Sequence, residues 1–167
     1  MGIVAGAAAH AAAQPVETTP VEVRSVERPS LAGEVVPPAQ KKKPHAKYQQ
    51  QAHAATNKQR VASGLKELRK QDCVQRFAVR QARIMAQQES MFHQELGPIL
   101  EECGLNAVGE NVAYGYPSGR SVVNDGWMNS EGHRANILNP DFRLMGIGAR
   151  KGHDGRWYVA QVFGRKG

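Results

Sequence analysis

The chain has 167 residues, 41% hydrophobic and 6% aromatic, with a formal net charge of +7 from 22 Lys/Arg and 15 Asp/Glu. That length holds one ordinary domain and a tail, and no apolar run approaches the roughly 20 residues needed to span a bilayer. No fixed period recurs, which excludes collagen, coiled-coil and repeat architectures.

The two ends of the chain differ in composition. Six of the nine prolines lie before position 45, whereas nine of the ten Phe, Trp and Tyr residues lie after position 50. Ile3 to Ala13 is apolar apart from His10, and Ala11-Ala12-Ala13 offers an A-x-A cleavage pattern. Residues 1–13 thus resemble the end of a secretory signal peptide without its basic start. Residues 14–47 carry six prolines and almost no large apolar side chains. Such a segment cannot bury enough surface to offset its ordering entropy and is expected to be a disordered Pro/Ala/Lys-rich arm. The folded domain is then residues 48–167. Up to residue 50 there are six Lys/Arg and four Asp/Glu, so most of the positive excess belongs to the domain, intermixed with acidic residues. An intermixed surface argues against a nucleic-acid partner and is compatible with an anionic cell wall or phospholipid surface. The one dense run, Lys41-Lys42-Lys43-Pro44-His45-Ala46-Lys47, falls in the arm and reads as a solubilising linker.

In chain order, the domain opens with a predicted helix from Tyr48 to Ser63, ended by Gly64 at C′, after which Leu65 and Leu68 turn inward. Asp72 is expected to cap a second helix with Val74, Phe77, Ala78, Ala82, Met85 and Ala86 on one face. Pro98 at N1 opens a short helix to Cys103, stopped by Gly104. Val108 to Ala113 reads as a strand. Ser121 is expected to cap a helix through Val122, Val123 and Trp127, with Trp127 packed in the core beside Val123 at i,i+4. A short turn covers His133 to Leu138 before Pro140. A hairpin closes the chain: Leu144 to Arg150, a His153-Asp154-Gly155 turn, then Arg156 to Phe163. The last strand is apolar on both faces, so both must be covered, and helices flanking a small antiparallel sheet follow.

Cys73 and Cys103 are too few for a four-thiolate metal site and form either one disulfide or two core thiols. Both fall at predicted element ends, and together with export this favours the disulfide.

Three polar residues could carry chemistry: His93 just past the second helix, Glu110 between Gly109 and Asn111, and His133 after Gly132. Singly they read as a boundary histidine, a strand carboxylate and a helix-capping histidine. Together they could bind a divalent cation such as zinc, or serve as a general base and acid. No Ser-His-Asp or Cys-His pattern stands out, so Cys103 is not expected to be a nucleophile.

The ordered set Asn57-x-x-Arg60…Gly64-Leu65, Phe92-His93, Gly109-Glu110-Asn111, Gly126-Trp127-Met128-Asn129-Ser130, Gly132-His133-Arg134-x-Asn136-Ile137-Leu138, Met145-Gly146-Ile147-Gly148 and Trp157-Tyr158-Val159-x-Gln161 closely resembles the bacterial SCP-like branch of the CAP superfamily. The resemblance covers about Tyr48 to Arg165. It implies an α+β fold, an α-β-α sandwich whose small antiparallel sheet is covered by helices on both faces, and secretion to the extracellular space or cell wall. It also implies a central cleft built on two histidines and two acidic residues. His93, Glu110 and His133 match three of these; the fourth position falls at Ser130, with Glu131 adjacent and Asn111 a further cleft neighbour. The family has been linked to divalent metals, to sterols and lipids, and in scattered cases to proteolysis. The leading expectation is therefore a secreted, non-enzymatic binding module for a divalent cation and a lipid or cell-wall ligand. A metal-dependent hydrolase with Glu110 as base and a domain with a purely structural tetrad are the alternatives.

Overall fold

The structure, a computed structural model, describes residues 43–167; the signal-like segment and the arm before residue 43 lie outside the described residues. The first helix, α1, spans Pro44–Ala62 and so starts four residues before the expected Tyr48. Pro44 sits in its first turn, where a missing N–H costs nothing, so the Pro/Lys composition that reads as arm continues into the helix. At its other end Gly64 has φ +74. Leu65 N donates to Arg60 O and Gly64 N to Val61 O, the paired closing bonds of a Schellman motif.

Leu68 is buried as expected, and Arg69–Lys70 form a two-residue strand, β1, too short to leave a periodic signal. Helix α2, Asp72–Gln88, is capped by Gln71 and not by Asp72: the Gln71 side chain accepts from Val74 N at 2.8 Å. A longer side chain reaches the same orphan N–H from one position earlier, and Asp72 sits in the first turn, where its charge favours the helix dipole. All six predicted core residues of α2 are buried. Helix α3 covers Gly97–Cys103 and strand β2 covers Ala107–Tyr114.

The segment before Trp127 is less regular than a single helix. Ser118, not Ser121, is the cap: Ser118 and Ser121 exchange side-chain and backbone bonds around α4, Gly119–Ser121. A π-helical turn, Val122–Gly126, and a 3-10 turn, Trp127–Asn129, follow. Val123 and Trp127 are still both buried, and the indole Nε1 donates to Val112 O at 3.2 Å. Helix α5 is Glu131–Ile137; β3, Leu144–Lys151, and β4, Trp157–Arg165, form the closing hairpin.

The sheet order is β1-β3-β4-β2. β2, β3 and β4 are antiparallel as expected, but β1 joins β3 in parallel, so the sheet is mixed. Alternation along β4 supplies both cores. Val159 and Phe163 pack with Met145 and Ile147 of β3 against α1, Trp127 and Ile137. Val162 packs against Val74, Phe77, Ala78 and Ile99, while Tyr158 and Ala160 pack against Met85 and Ala86 of α2. Two layers of helix around one sheet give the expected α-β-α sandwich. A disulfide joins Cys73 to Cys103, with Cα atoms 5.6 Å apart.

Candidate functional site

Strand β2 lies at the edge of the sheet, so past it the two faces can communicate. In register, Asn111 pairs with Gln161 and Glu110 with Val162. By alternation Asn111 therefore belongs to the α1 face and Glu110 to the α2 face.

Glu110 is almost wholly buried, with its side chain 1% exposed. Its Oε1 accepts from His93 Nδ1 at 2.8 Å and from Gln94 N at 3.2 Å, and its Oε2 accepts from Gln94 Nε2 at 2.5 Å. In the tautomer with its proton on Nδ1, His93 donates to this carboxylate and has its lone pair on Nε2. The segment carrying His93 is pinned to α2 by Gln81 Nε2, which donates to Phe92 O at 2.5 Å. The His93 side chain is 59% exposed, so the carboxylate is dry and the imidazole is wet.

His133 reaches the same edge from the opposite face, at the start of α5. Its pKa is held below the ordinary 6.5, first by burial and then by the nearby His93. It is therefore neutral at physiological pH. Polar side chains on the α1 face hold α5 in place. Asn111 Nδ2 donates to His133 O and to Gln161 Oε1, both at 3.1 Å. Asn136 Nδ2 donates to Asn111 Oδ1 at 2.9 Å and to Glu110 O at 3.1 Å. Gln161 Nε2 continues the chain to Thr56 Oγ1 at 2.8 Å. Arg60, fully buried, donates to Ile137 O and Asn139 O at 2.7 and 2.8 Å and to Lys66 O at 2.9 Å. Four of the motif residues noted in the sequence, Asn57, Arg60, Asn111 and Gln161, are thus structural polar groups: Asn57 exchanges both amide bonds with the Leu68 backbone.

A cleft of about 580 Å³ opens beside this edge. Val112, Tyr116 and Trp127 make its apolar wall, and Met91 and Tyr114, each 45% exposed, make its rim. His133 and Ser130 are its polar lining. Glu131 does not line it: it is exposed in the first turn of α5. Asn111 does not line it either, being fully buried in the network just described. Among the described residues no group of three or more His, Cys, Asp or Glu side chains is arranged to hold a metal ion. Glu110 is buried behind His93 and Gln94, while the His93 ring is exposed and His133 lines the cleft. Sequence reasoning missed Gln94, which lies in an irregular segment without a pattern, and the rim pair Met91 and Tyr114. Two exposed apolar side chains flanking a predicted site were the available signal for the rim.

This architecture defines a class: a small α-β-α sandwich with an apolar cleft at the free edge of its sheet, lined by His133 but not by the bonded pair His93 and Glu110. Residues 53–163 match CAP, the cysteine-rich secretory protein family, and the chain belongs to that family. It is 33% identical over 108 residues to the uncharacterized protein YkwD of Bacillus subtilis (strain 168), a match that covers 60% of this chain and 42% of that protein. It is 42% identical over 57 residues to the uncharacterized membrane protein YlbC of the same organism, covering 34% of this chain and 15% of that protein. The chain thus spans less than half the length of these curated relatives. Among solved structures it is similar to an extracellular protein containing an SCP domain from Bacillus anthracis str. Ames, at 29% identity and a TM-score of 0.64, covering 73% of this chain and 41% of that one. An outer surface protein from Borrelia burgdorferi shares the fold at 21% identity and a TM-score of 0.61, covering 69% and 90% of the two chains. Among the described residues no helix is long and apolar enough to cross a membrane.

Proposed function

We propose that the domain is an extracellular, non-enzymatic binding module whose cleft takes a ligand with an apolar body and a polar end, anchored through a divalent cation at the histidines. The observation that carries this reading is the commitment of Glu110. That side chain is 1% exposed and accepts three hydrogen bonds from His93 and Gln94, so it is held away from any substrate or water whose proton it would take. A buried carboxylate bonded to the far nitrogen of an imidazole is the usual support for a metal-binding histidine, fixing its tautomer and raising its basicity. His93 Nε2 and His133 would hold the cation, with water or ligand oxygen in the remaining positions. When bound, it would supply a Lewis-acidic anchor for a ligand oxygen. The exposed ring of His93 leaves its far nitrogen accessible to an ion, which favours binding over a purely structural network. The apolar wall at Val112, Tyr116 and Trp127 suits the hydrocarbon part of a lipid or the lactyl and peptide parts of a wall fragment. The extracellular setting is supported by the Bacillus anthracis neighbour, itself described as extracellular.

Zinc titration of the full chain by calorimetry tests the reading. His93→Ala and His133→Ala should abolish binding, and Glu110→Gln should weaken it by about 10–100-fold as the carboxylate that orients His93 is removed. Zinc binding that survives both histidine variants would reject the site. Glu110-dependent turnover of a peptide or ester substrate would replace the binding module with the hydrolase.

A further inference from the structure

A second groove, of about 520 Å³, lies between α1 and the segment running from α4 into the π-helical turn. It shares no lining residue with the histidine cleft. Three cations line it, Lys47 and Lys58 of α1 and Arg120 of α4, together with Gln51, Asn124 and small side chains, and no carboxylate does. Helix α1 contains no acidic residue over its 19 positions. None of the three cations belongs to any of the four ion pairs among the described residues. The nearest carboxylate in sequence, Asp125, follows Asn124 but does not line the groove.

The walls are fixed before any ligand arrives. A Cβ on Gly119 would stand 2.0 Å from Tyr48 O, so α4 is pressed onto α1 and Arg120 is seated beside it. The Ser118–Ser121 capping bonds hold that turn. Across the groove Gln59 Nε2 donates to Asn124 Oδ1 at 3.0 Å, tying the π-helical turn to α1. Lys47 and Lys58 lie on one helix face, separated by roughly 16 Å at the α-helical rise of about 1.5 Å per residue.

We infer that this groove binds a linear phosphodiester chain of the kind that forms anionic cell-wall polymers. Charges spread along one face match an anion that repeats its charge, not a single phosphate. Concavity favours a free chain over a bilayer, whose headgroups present a flat surface. No aromatic ring lines the groove, so it offers nothing for a nucleobase to stack on, which disfavours nucleic acid. Binding of this type releases counterions and weakens steeply with salt.

The test is a titration of the full chain with poly(glycerol phosphate) over a range of salt, read by calorimetry. The triple variant Lys47→Glu, Lys58→Glu, Arg120→Glu alters only exposed side chains, so its melting temperature and its zinc binding at the cleft should be unchanged. Its affinity for the polymer should fall by roughly a hundredfold, because each exposed ion pair removed is worth about twofold and each charge reversal adds a comparable penalty. Neutral Gln versions should give an intermediate loss and a shallower salt dependence. Unchanged affinity in the triple variant would overturn the inference and transfer the binding to the Lys41–Lys43 run. Equal or tighter binding to phosphatidylglycerol vesicles, or to a single-stranded oligonucleotide, would overturn it in favour of a membrane or a nucleic acid.

Discussion

On the α2 face of the sheet, backbone meets backbone. A Cβ on Gly146 would lie 2.5 Å from Gln75 Cα, and one on Gly148 would lie 1.9 Å from Ala78 O, so α2 sits directly on β3. Gln75 adds a pair of bonds to the Ile147 backbone, at 2.7 and 3.0 Å. The Cys73–Cys103 disulfide, closing a loop of 30 residues, stabilises this face by about 3–4 kcal/mol on the chain-entropy model. On the α1 face, by contrast, the helix and the loops before β3 are joined to the sheet through buried amides, a hydroxyl and the Arg60 guanidinium. One face is a steric seat and the other a bonded lattice. The seat carries the carboxylate that orients His93, and Gln81 of α2 pins the segment bearing that histidine; the lattice positions α5, and with it His133.

The largest expected effect comes from breaking the seat. Gly148→Val forces a branched side chain into the Ala78 carbonyl, and backbone cannot yield as a flexible side chain would. Overpacking of this kind should cost more than about 3 kcal/mol and lower the melting temperature by more than about 10 °C. A variant melting within a few degrees of the parent would show that α2 can slide on β3, and the contrast between the two faces would collapse.

Breaking the lattice should cost less and reach the site more directly. Asn111→Ala removes the donor to His133 O, strands Gln161 Oε1 and leaves Asn136 Nδ2 with Glu110 O alone, a loss of about 1–3 kcal/mol. Because α5 loses the bond nearest His133, zinc affinity should fall by about tenfold. A stability loss with unchanged zinc affinity would make the lattice a support for the fold and not for the site.

How much of this was legible depends on periodicity. The six buried positions of α2, the hairpin and the doubly apolar β4 leave regular patterns, and their places were readable. β1 is two residues long and is defined only by its partner Leu144–Met145, so nothing local marks it. The caps at Gln71 and Ser118 were displaced because any polar side chain of the right length can reach the orphan N–H, and the nearest Asp or Ser was not the one that did. Gly146 and Gly148 are motif residues whose reason, contact with α2, exists only in three dimensions. At the site, His93, Glu110 and His133 stood out by residue type and motif. Their division into a bonded pair on one face and a single imidazole on the other depends on the register of β2, which no spacing along the chain encodes.

The smallest expected effect concerns acid, and it should fall on one face only. His53 and His45 of α1 and His133 of α5 all have pKa values below the ordinary 6.5, in each case chiefly through burial. Lys70 adds to this at His53, with Glu67 opposing, and Arg150 and Lys43 add to it at His45. His53 Nε2 is buried without a hydrogen-bond partner, so a proton there would be poorly accommodated. Between the folded pKa values and about 6.5 the unfolded chain therefore binds more protons than the folded one. Stability rises with pH in that window and is lost as pH falls through it, levelling off below the folded values. Asp154, held below its usual 3.8 chiefly by the Arg156 amide, contributes in the carboxylate range at lower pH. Hydrogen exchange at pH 5.5 against pH 7.5 should show α1 and α5 losing protection while α2 keeps it. His53→Gln should flatten the α1 part of that response. Loss of protection in α2 first, or an unchanged slope in the His53 variant, would mean that acid acts on the two faces alike.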